Sequence, residues 1–378
     1  MSVYLDVSAA VHAKAGLSRY AGNLARALAP MLGSQLVLFQ NSLGRCPLPT
    51  GLDHLPVSGT RLGYRPWRAA VLAARALGLS SRRLAPEASL FHATEHLLPP
   101  VTAPTVLTVH DLIWEIYPQY HRTGNYVYLK AAMPLFCRRA DRIIAVSGAT
   151  RDDLIERYRV PADKITVISE AAAEHFAPAP HAEIERVSKK FSLHGRYLIA
   201  VGTLEPRKNI AMLARACGEL FRRNLADTLV VVGARGWLFE EAMQEISAMP
   251  WNGRIEMPGY VSEDDLVALY SGALLAVQPS YYEGFGLPVL EAMACGCPVC
   301  ASDASSLPEV GGQAARYFDP RDLDAMIETL AAVAGNDDLR HEMSAQGLER
   351  ARLFSWRRSA LETAHLYQTL VPGIEVLV

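Results

Sequence analysis

Short apolar runs recur along the chain. Most end at a glycine, histidine or serine, and many give way to a stretch where apolar residues return every three or four positions. Residues 3–7, 35–39, 90–92, 105–109, 142–146 and 165–168 read as strands of this kind, and so do 197–201, 228–232, 255–257, 272–277 and 297–302. Runs this short and this continuously apolar suit parallel strands covered on both faces. Between them the helical period is clear. From Leu17, one face carries Tyr20, Leu24, Ala27 and Leu28, and helices also follow Ile210 and Pro288. Residues 323–334, 339–354 and 356–370 complete the helical pattern. Strands alternating with helices predict an α/β chain of doubly wound sheets, and 378 residues suffice for two such domains. Residues 41–60 show no period and read as a long loop, and the polar, proline-bearing piece 174–180 reads as a linker.

Charge adds an asymmetry. Residues 1–180 hold 19 Lys+Arg against 13 Asp+Glu, and the remainder holds 18 against 26. A basic first half points to an anionic partner. Residues 61–84 set Arg61, Arg65, Arg68, Arg75, Arg82 and Arg83 beside Trp67, Leu72 and Leu77, and 120–142 is a second basic, aromatic stretch. Both suit peripheral contact with an anionic membrane surface, or else surface helices packed on a sheet. No apolar run approaches the roughly 20 residues of a spanning helix, and the N-terminus has no basic segment before an apolar core. Cys46, Cys137, Cys217, Cys295, Cys297 and Cys300 do not form a secreted scaffold; the last three are expected to be buried packing. The expectation is a cytoplasmic chain, with the inner face of the cell membrane as its place of contact. No nucleic-acid module is present.

The chemistry concentrates at strand ends. After the run 272–277 come Pro279, Tyr281, Tyr282 and Glu283, then Gly284-Phe285-Gly286-Leu287-Pro288 and a helical stretch bearing Glu291 in its first turn. Proline suits a helix start, and amides at that start favour anions and hydroxyls. With a carboxylate on either side, the string reads as a pocket for a polyhydroxylated, phosphate-bearing ligand, or as a strand–turn–helix junction alone. Gly202-Thr203-Leu204-Glu205-Pro206-Arg207-Lys208-Asn209 follows the strand 197–201. Cations at a helix start oppose the helix dipole, so an anion between Arg207 and Lys208 explains them better. In the first half Gly16 opens a helix after the first strand, and His110-Asp111 ends the strand 105–109, where doubly wound sheets bind ligands. Asp111, Asp264 and Asp265 read as caps.

The 283–291 string resembles the E-x7-E signature of the family-4 retaining glycosyltransferases, whose GT-B fold sets two Rossmann-like domains facing each other. The resemblance implies an acceptor domain over 1–173, a donor domain over 174–357, and a C-terminal helix in 358–378 crossing back to the first. It places Glu283 on the donor sugar, Glu291 on the ribose, and Gly284, Phe285, Gly286 and Leu287 on the sugar and pyrophosphate. Arg207 and Lys208 then neutralise the leaving diphosphate, beside Gly202 and Gly16. Thr203 stands where many relatives carry arginine. His110 reaches the donor sugar and the reacting centre, Ser147 and Asp111 lie on the acceptor side, and the backbone at Tyr260 and Val261 meets the nucleobase. The implied partners are a nucleotide-sugar donor and a glycan or lipid-linked acceptor. No metal or other cofactor is expected, since no Asp-x-Asp motif stands at the pocket. Among donors, GDP-mannose is favoured, in bacterial polysaccharide assembly, over GDP-rhamnose or a UDP-sugar. A non-catalytic nucleotide-sugar-binding protein is the reading from another class.

Overall fold

Two parallel sheets carry the chain, and both follow the same winding. In a computed structural model, which describes residues 1–12, 15–44 and 47–377, the first sheet contains β1 (Val3–Asp6), β2 (Leu36–Asn41), β3 (Val57–Thr60), β4 (Leu90–Ala93), β5 (Thr105–Val109), β6 (Arg142–Ala145) and β7 (Ile165–Val167). Its order is β3-β2-β1-β4-β5-β6-β7. The second contains β8 (Tyr197–Val201), β9 (Thr228–Val232), β10 (Ile255–Gly259), β11 (Leu275–Gln278), β12 (Val299–Ser302) and β13 (Ala315–Phe318), in the order β10-β9-β8-β11-β12-β13. Each sheet starts at its centre, winds to one edge, and returns to wind to the other. The crevice beyond the strand ends at the reversal, β1/β4 or β8/β11, is where such sheets bind ligands.

The first unit comprises Met1–Ile116, Thr123–Glu170 and Ser355–Val378, and the second Tyr117–Arg122 and Ala171–Phe354. The C-terminal helix, Trp356–Leu370, thus belongs to the first unit, where it packs on the helix Ala15–Leu32. Strands β4 and β5 are buried at every position, as the continuous apolar runs require. In the second unit the core gathers Leu198, Leu213, Leu229, Leu275 and Leu330 between the sheet and its helices.

The structure differs from the sequence reading at several points. Strand β3 lies inside 41–60; alternating exposure at a sheet edge left it no apolar run to detect. Strand β13 and the helices His181–Lys190 and Glu240–Ser247 also went unpredicted. Gly272 ends the helix Glu263–Gly272 rather than opening a strand. That helix is capped by Ser262, whose hydroxyl accepts the Asp265 N–H, so Asp265 is not the cap. Its buried carboxylate instead receives Arg186 and Lys190 at 3.0 and 2.5 Å, clamping the helix His181–Lys190. Arg75 is not a surface arginine either: it is buried, donating to the carbonyls of Leu98 and Pro99. Cys137, Cys217, Cys295, Cys297 and Cys300 are buried free thiols, and Cys46 lies outside the described residues.

A polar chain threads the core of the first unit. His92 on β4 bonds the Tyr367 hydroxyl at 2.6 Å through Nδ1 and the Thr108 hydroxyl at 2.7 Å through Nε2, and Tyr20 meets Thr108 at 3.0 Å. It ties two helices to β4 and β5. Burial, and next the charge of His110, push the His92 imidazole down to about 3. It therefore folds neutral. The unfolded chain binds a proton that the folded chain refuses, so this group's stability is full above about pH 6.5 and is lost as pH falls toward 3. Tyr367→Phe leaves a buried nitrogen without its partner and should cost about 1–3 kcal/mol in denaturant unfolding. A cost near zero would remove His92–Tyr367 as a structural link.

Candidate active site

The second unit brings Arg207, Lys208 and Glu283 together at the β8/β11 reversal, with Gly202 against the lysine, whereas Tyr260 and Val261 follow the edge strand β10. Arg207 and Lys208 stand in a 3-10 turn, Pro206–Lys208, between β8 and the helix Ile210–Arg222. Glu283 follows β11. Its Oε1 receives Lys208 Nζ at 2.5 Å, Gln278 Nε2 at 2.7 Å and Ser280 Oγ at 2.6 Å, and its Oε2 receives Arg207 Nη1 at 2.6 Å. Arg207 also donates from Nε to Glu205 at 2.5 Å and from Nη1 to the Tyr282 carbonyl. The anion between the cations is thus the protein's own: two carboxylates face two cations, and Glu205, Lys208 and Glu283 are all buried. Burial opposes the Glu283 charge, but Arg207 and Lys208 outweigh it and hold the carboxyl far below the usual range. Burial, then Arg207, press the Lys208 ammonium below its ordinary value, with Glu283 and Glu205 opposing.

Local backbone explains several neighbours. Gly202 has φ 152°, and a Cβ there would meet Lys208 Cε at 3.1 Å, so glycine lets the lysine stem pass. Asn209, at φ 56°, donates its amide to the Pro279 and Pro320 carbonyls and fixes the turn carrying the cations. Gly286, at φ 112°, is the N-cap of the helix Leu287–Ala294, whose second residue is Pro288. Glu291 lies beyond the first turn of that helix and is buried. Gly284, Phe285 and Leu287 are buried around the cap, and Thr203 is half-buried after Gly202. Tyr260, 78% exposed, and the buried Val261 follow β10.

The first unit holds its own cluster past the ends of β4, β5 and β7. His110 Nδ1 meets Glu170 Oε1 at 3.0 Å, and Nε2 donates to the Thr94 carbonyl at 2.9 Å. Burial opposes a charged ring, but Glu170 first, then Thr94 and Asp111, outweigh it and raise His110 above its ordinary value. Both ring nitrogens are therefore committed inside the first unit. His96 Nε2 accepts the His110 N–H at 3.3 Å. Asp111 accepts the Ile113 N–H. Ser147 caps the helix Gly148–Tyr158, accepting the Thr150 N–H. Gly16 lies in the first turn of its helix, and a Cβ there would meet no described atom within 4 Å, so packing does not demand glycine at that position.

Sequence reasoning missed Glu205, Gln278, Ser280 and Ser305 in one unit and Thr94, His96 and Glu170 in the other. Glu170 and Thr94 follow strands just as His110 does, so strand ends were the available signal. Ser305, 22 positions from the residue it contacts, left none.

Two doubly wound parallel sheets of this order match the GT-B fold of known glycosyltransferase structures. Residues 15–171 match the family described as Glycosyltransferase Family 4, and 182–350 that described as Glycosyl transferases group 1. The chain is 35% identical to the O-antigen chain mannosyltransferase B of Escherichia coli, over 74% of each chain. It is 32% identical to the serotype-specific mannosyltransferase WbdA of Escherichia coli over 69% of its own length, spanning 32% of that protein. The structure of Anabaena Alr3699/HepE in complex with UDP and glucose superposes with a TM-score of 0.77 at 18% identity, covering 98% of this chain and all of that one. The chain belongs to glycosyltransferase family 4.

The His110–Glu170 pair has a signed pH dependence. Its contribution to stability is full below about pH 6.5 and is lost as pH rises through the raised folded value. Glu170→Gln should bring the His110 titration down, followed by NMR, and should destabilise the chain more at pH 6 than at pH 8.5. An unmoved titration would show that Glu170 does not hold the proton.

Proposed function

We propose that the chain transfers mannose from GDP-mannose to a growing, lipid-linked bacterial glycan, with the anomeric configuration retained and no divalent metal. The observation that carries the reading is the quartet of Glu205, Arg207, Lys208 and Glu283 at the β8/β11 strand ends. Lys208 has three N–H donors and Arg207 five, and the carboxylates orient them before any ligand arrives. Such preorganised cations stabilise charge as it develops on a departing diphosphate. Retention follows a front-face route, in which the leaving phosphate takes the acceptor proton. Glu283 and Gly284 to Leu287 meet the hexose and pyrophosphate, Glu291 the ribose, and Tyr260 and Val261 the base. The likeness to mannosyltransferases of O-antigen synthesis supports the sugar.

Incubating the chain with GDP-mannose and a mannosylated lipid-linked acceptor tests the reading, product and released GDP being measured together. Lys208→Ala and Glu283→Ala should each lower turnover by at least about tenfold, and chelator should leave it unchanged. Wild-type rates in both variants would remove the assignment. GDP-rhamnose or UDP-sugars supporting turnover in place of GDP-mannose would replace the donor.

A lipid-linked acceptor gives the basic first unit a role. The helices Tyr64–Ala76 and Thr123–Arg139 pack together. Arg61, Arg65, Arg82, Arg83, Arg138 and Arg139 are exposed on or beside them, with Leu62, Leu77, Leu79 and Val127. Among the described residues no helix is long and apolar enough to cross a membrane. Contact with an anionic leaflet is therefore peripheral. The chain should float with vesicles containing anionic lipid but not with neutral ones, and Arg82→Glu with Arg83→Glu should weaken that. Equal recovery on both vesicle types would contradict it.

A further inference from the structure

Among the described residues, Arg159, Ser192, Asn209, Asn224, Leu238 and Ser305 have positive φ without being glycine. Arg159, Ser192 and Asn224 follow helix ends, where that conformation is routine. Ser305 does not. It holds φ 51° in the loop between β12 and the short helix Leu307–Gly311, where glycine would sit without steric cost. A strained residue calls for something that over-determines it. At Ser305 that is a hydrogen bond across the site: its Oγ accepts the backbone N–H of Glu283 at 2.8 Å.

The end of β12 and the same loop grip the Glu283 segment further. Ser302 Oγ donates to the Ser280 carbonyl at 2.6 Å, and Ser306 Oγ lies 3.0 and 2.7 Å from the carbonyls of Glu283 and Phe285. Residues 279–286 are loop and cap, so hydroxyls supply bonds that a strand neighbour would otherwise make. The four side chains around the Glu283 carboxylate fix its charge. They do not by themselves fix the backbone that carries it, which is followed by Gly284. We propose that Ser305 is a positioning residue: by holding the Glu283 amide it sets where the Glu283 carboxylate, and through it Arg207 and Lys208, stand to meet the donor. The inference rests on the donor-site reading of the Glu283 loop.

Two substitutions separate the hydroxyl from the backbone. Ser305→Gly removes hydroxyl and strain together, whereas Ser305→Ala removes the hydroxyl and keeps the strain. The melting temperature of Ser305→Gly should equal or exceed that of Ser305→Ala. Both should lower kcat at saturating GDP-mannose by about tenfold, the scale of a displaced catalytic group. Hydrogen exchange across residues 279–286 of the ligand-free chain should speed up by a few-fold to about tenfold, as loss of one such bond allows, with other segments unchanged. Unchanged exchange in Ser305→Gly overturns the role whatever the donor. So does activity that falls only in step with the folded fraction. Glu283→Ala, measured alongside, keeps the two claims apart. Its loss of transfer with wild-type kcat in Ser305→Gly overturns Ser305 alone, and transfer surviving Glu283→Ala overturns the donor-site reading.

Discussion

Glu205 and Glu283 face Arg207 and Lys208 where little water reaches, and the second unit is arranged around that encounter. Buried ion pairs repay their desolvation poorly, and well-packed apolar groups of the same volume often stabilise a protein as well or better. Breaking one is costly, because a charge is left without its partner. Stability is thus a weak reason for a quartet at this place. A site that must present two fixed cations to an anion is a stronger one. The carboxylates keep the cations oriented while the site is empty, and the surrounding backbone accepts strain to keep the carboxylates in place. Asn209 and Ser305, in left-handed conformations, anchor the two loops that carry the opposing charges.

The first unit repeats the winding with different chemistry. Past the ends of β4, β5 and β7, His110 is held by Glu170 and the Thr94 carbonyl, and a neutral histidine, His92, is buried within β4. Two histidines on neighbouring strands, one within β4 and one just past β5, are therefore shifted in opposite directions. His92 withholds stability in acid, below about pH 6.5, and His110 withholds it in base, above that value, so together they favour the fold most near pH 6.5. What separates them is the partner: hydroxyls for His92, a carboxylate for His110.

Much of the architecture was legible because buried parallel strands leave an unmistakable apolar run. Strands β5, β8 and β9 match their predicted ends. Edge strand β3, half exposed, carries no such run, and amphipathic helices of mixed polarity such as His181–Lys190 resemble solvated linker. At the site, charged groups next to glycines were visible, since their spacing survives in one dimension. Their pairing was not. The sequence offers Arg207 and Lys208 to an external anion, whereas folding first gives them Glu205 and Glu283. Arg75 and Asp265 mislead similarly, a surface charge and a cap by composition but buried clamps by contact. Hydroxyl-to-backbone bonds such as that from Ser305 leave no pattern at all, because their partners are set by loops far apart in the chain.

The account stands on the cations at β8/β11 being a diphosphate site, and calorimetric titration reads that directly. GDP and GMP, with UDP and UMP in parallel, should be titrated into the intact chain and into Lys208→Ala. For the base that binds, the diphosphate should exceed the monophosphate by at least about tenfold, the worth of one charge-assisted contact, and Lys208→Ala should close most of that gap. Equal affinity for mono- and diphosphate in the unaltered chain, or a gap untouched by the substitution, would contradict it.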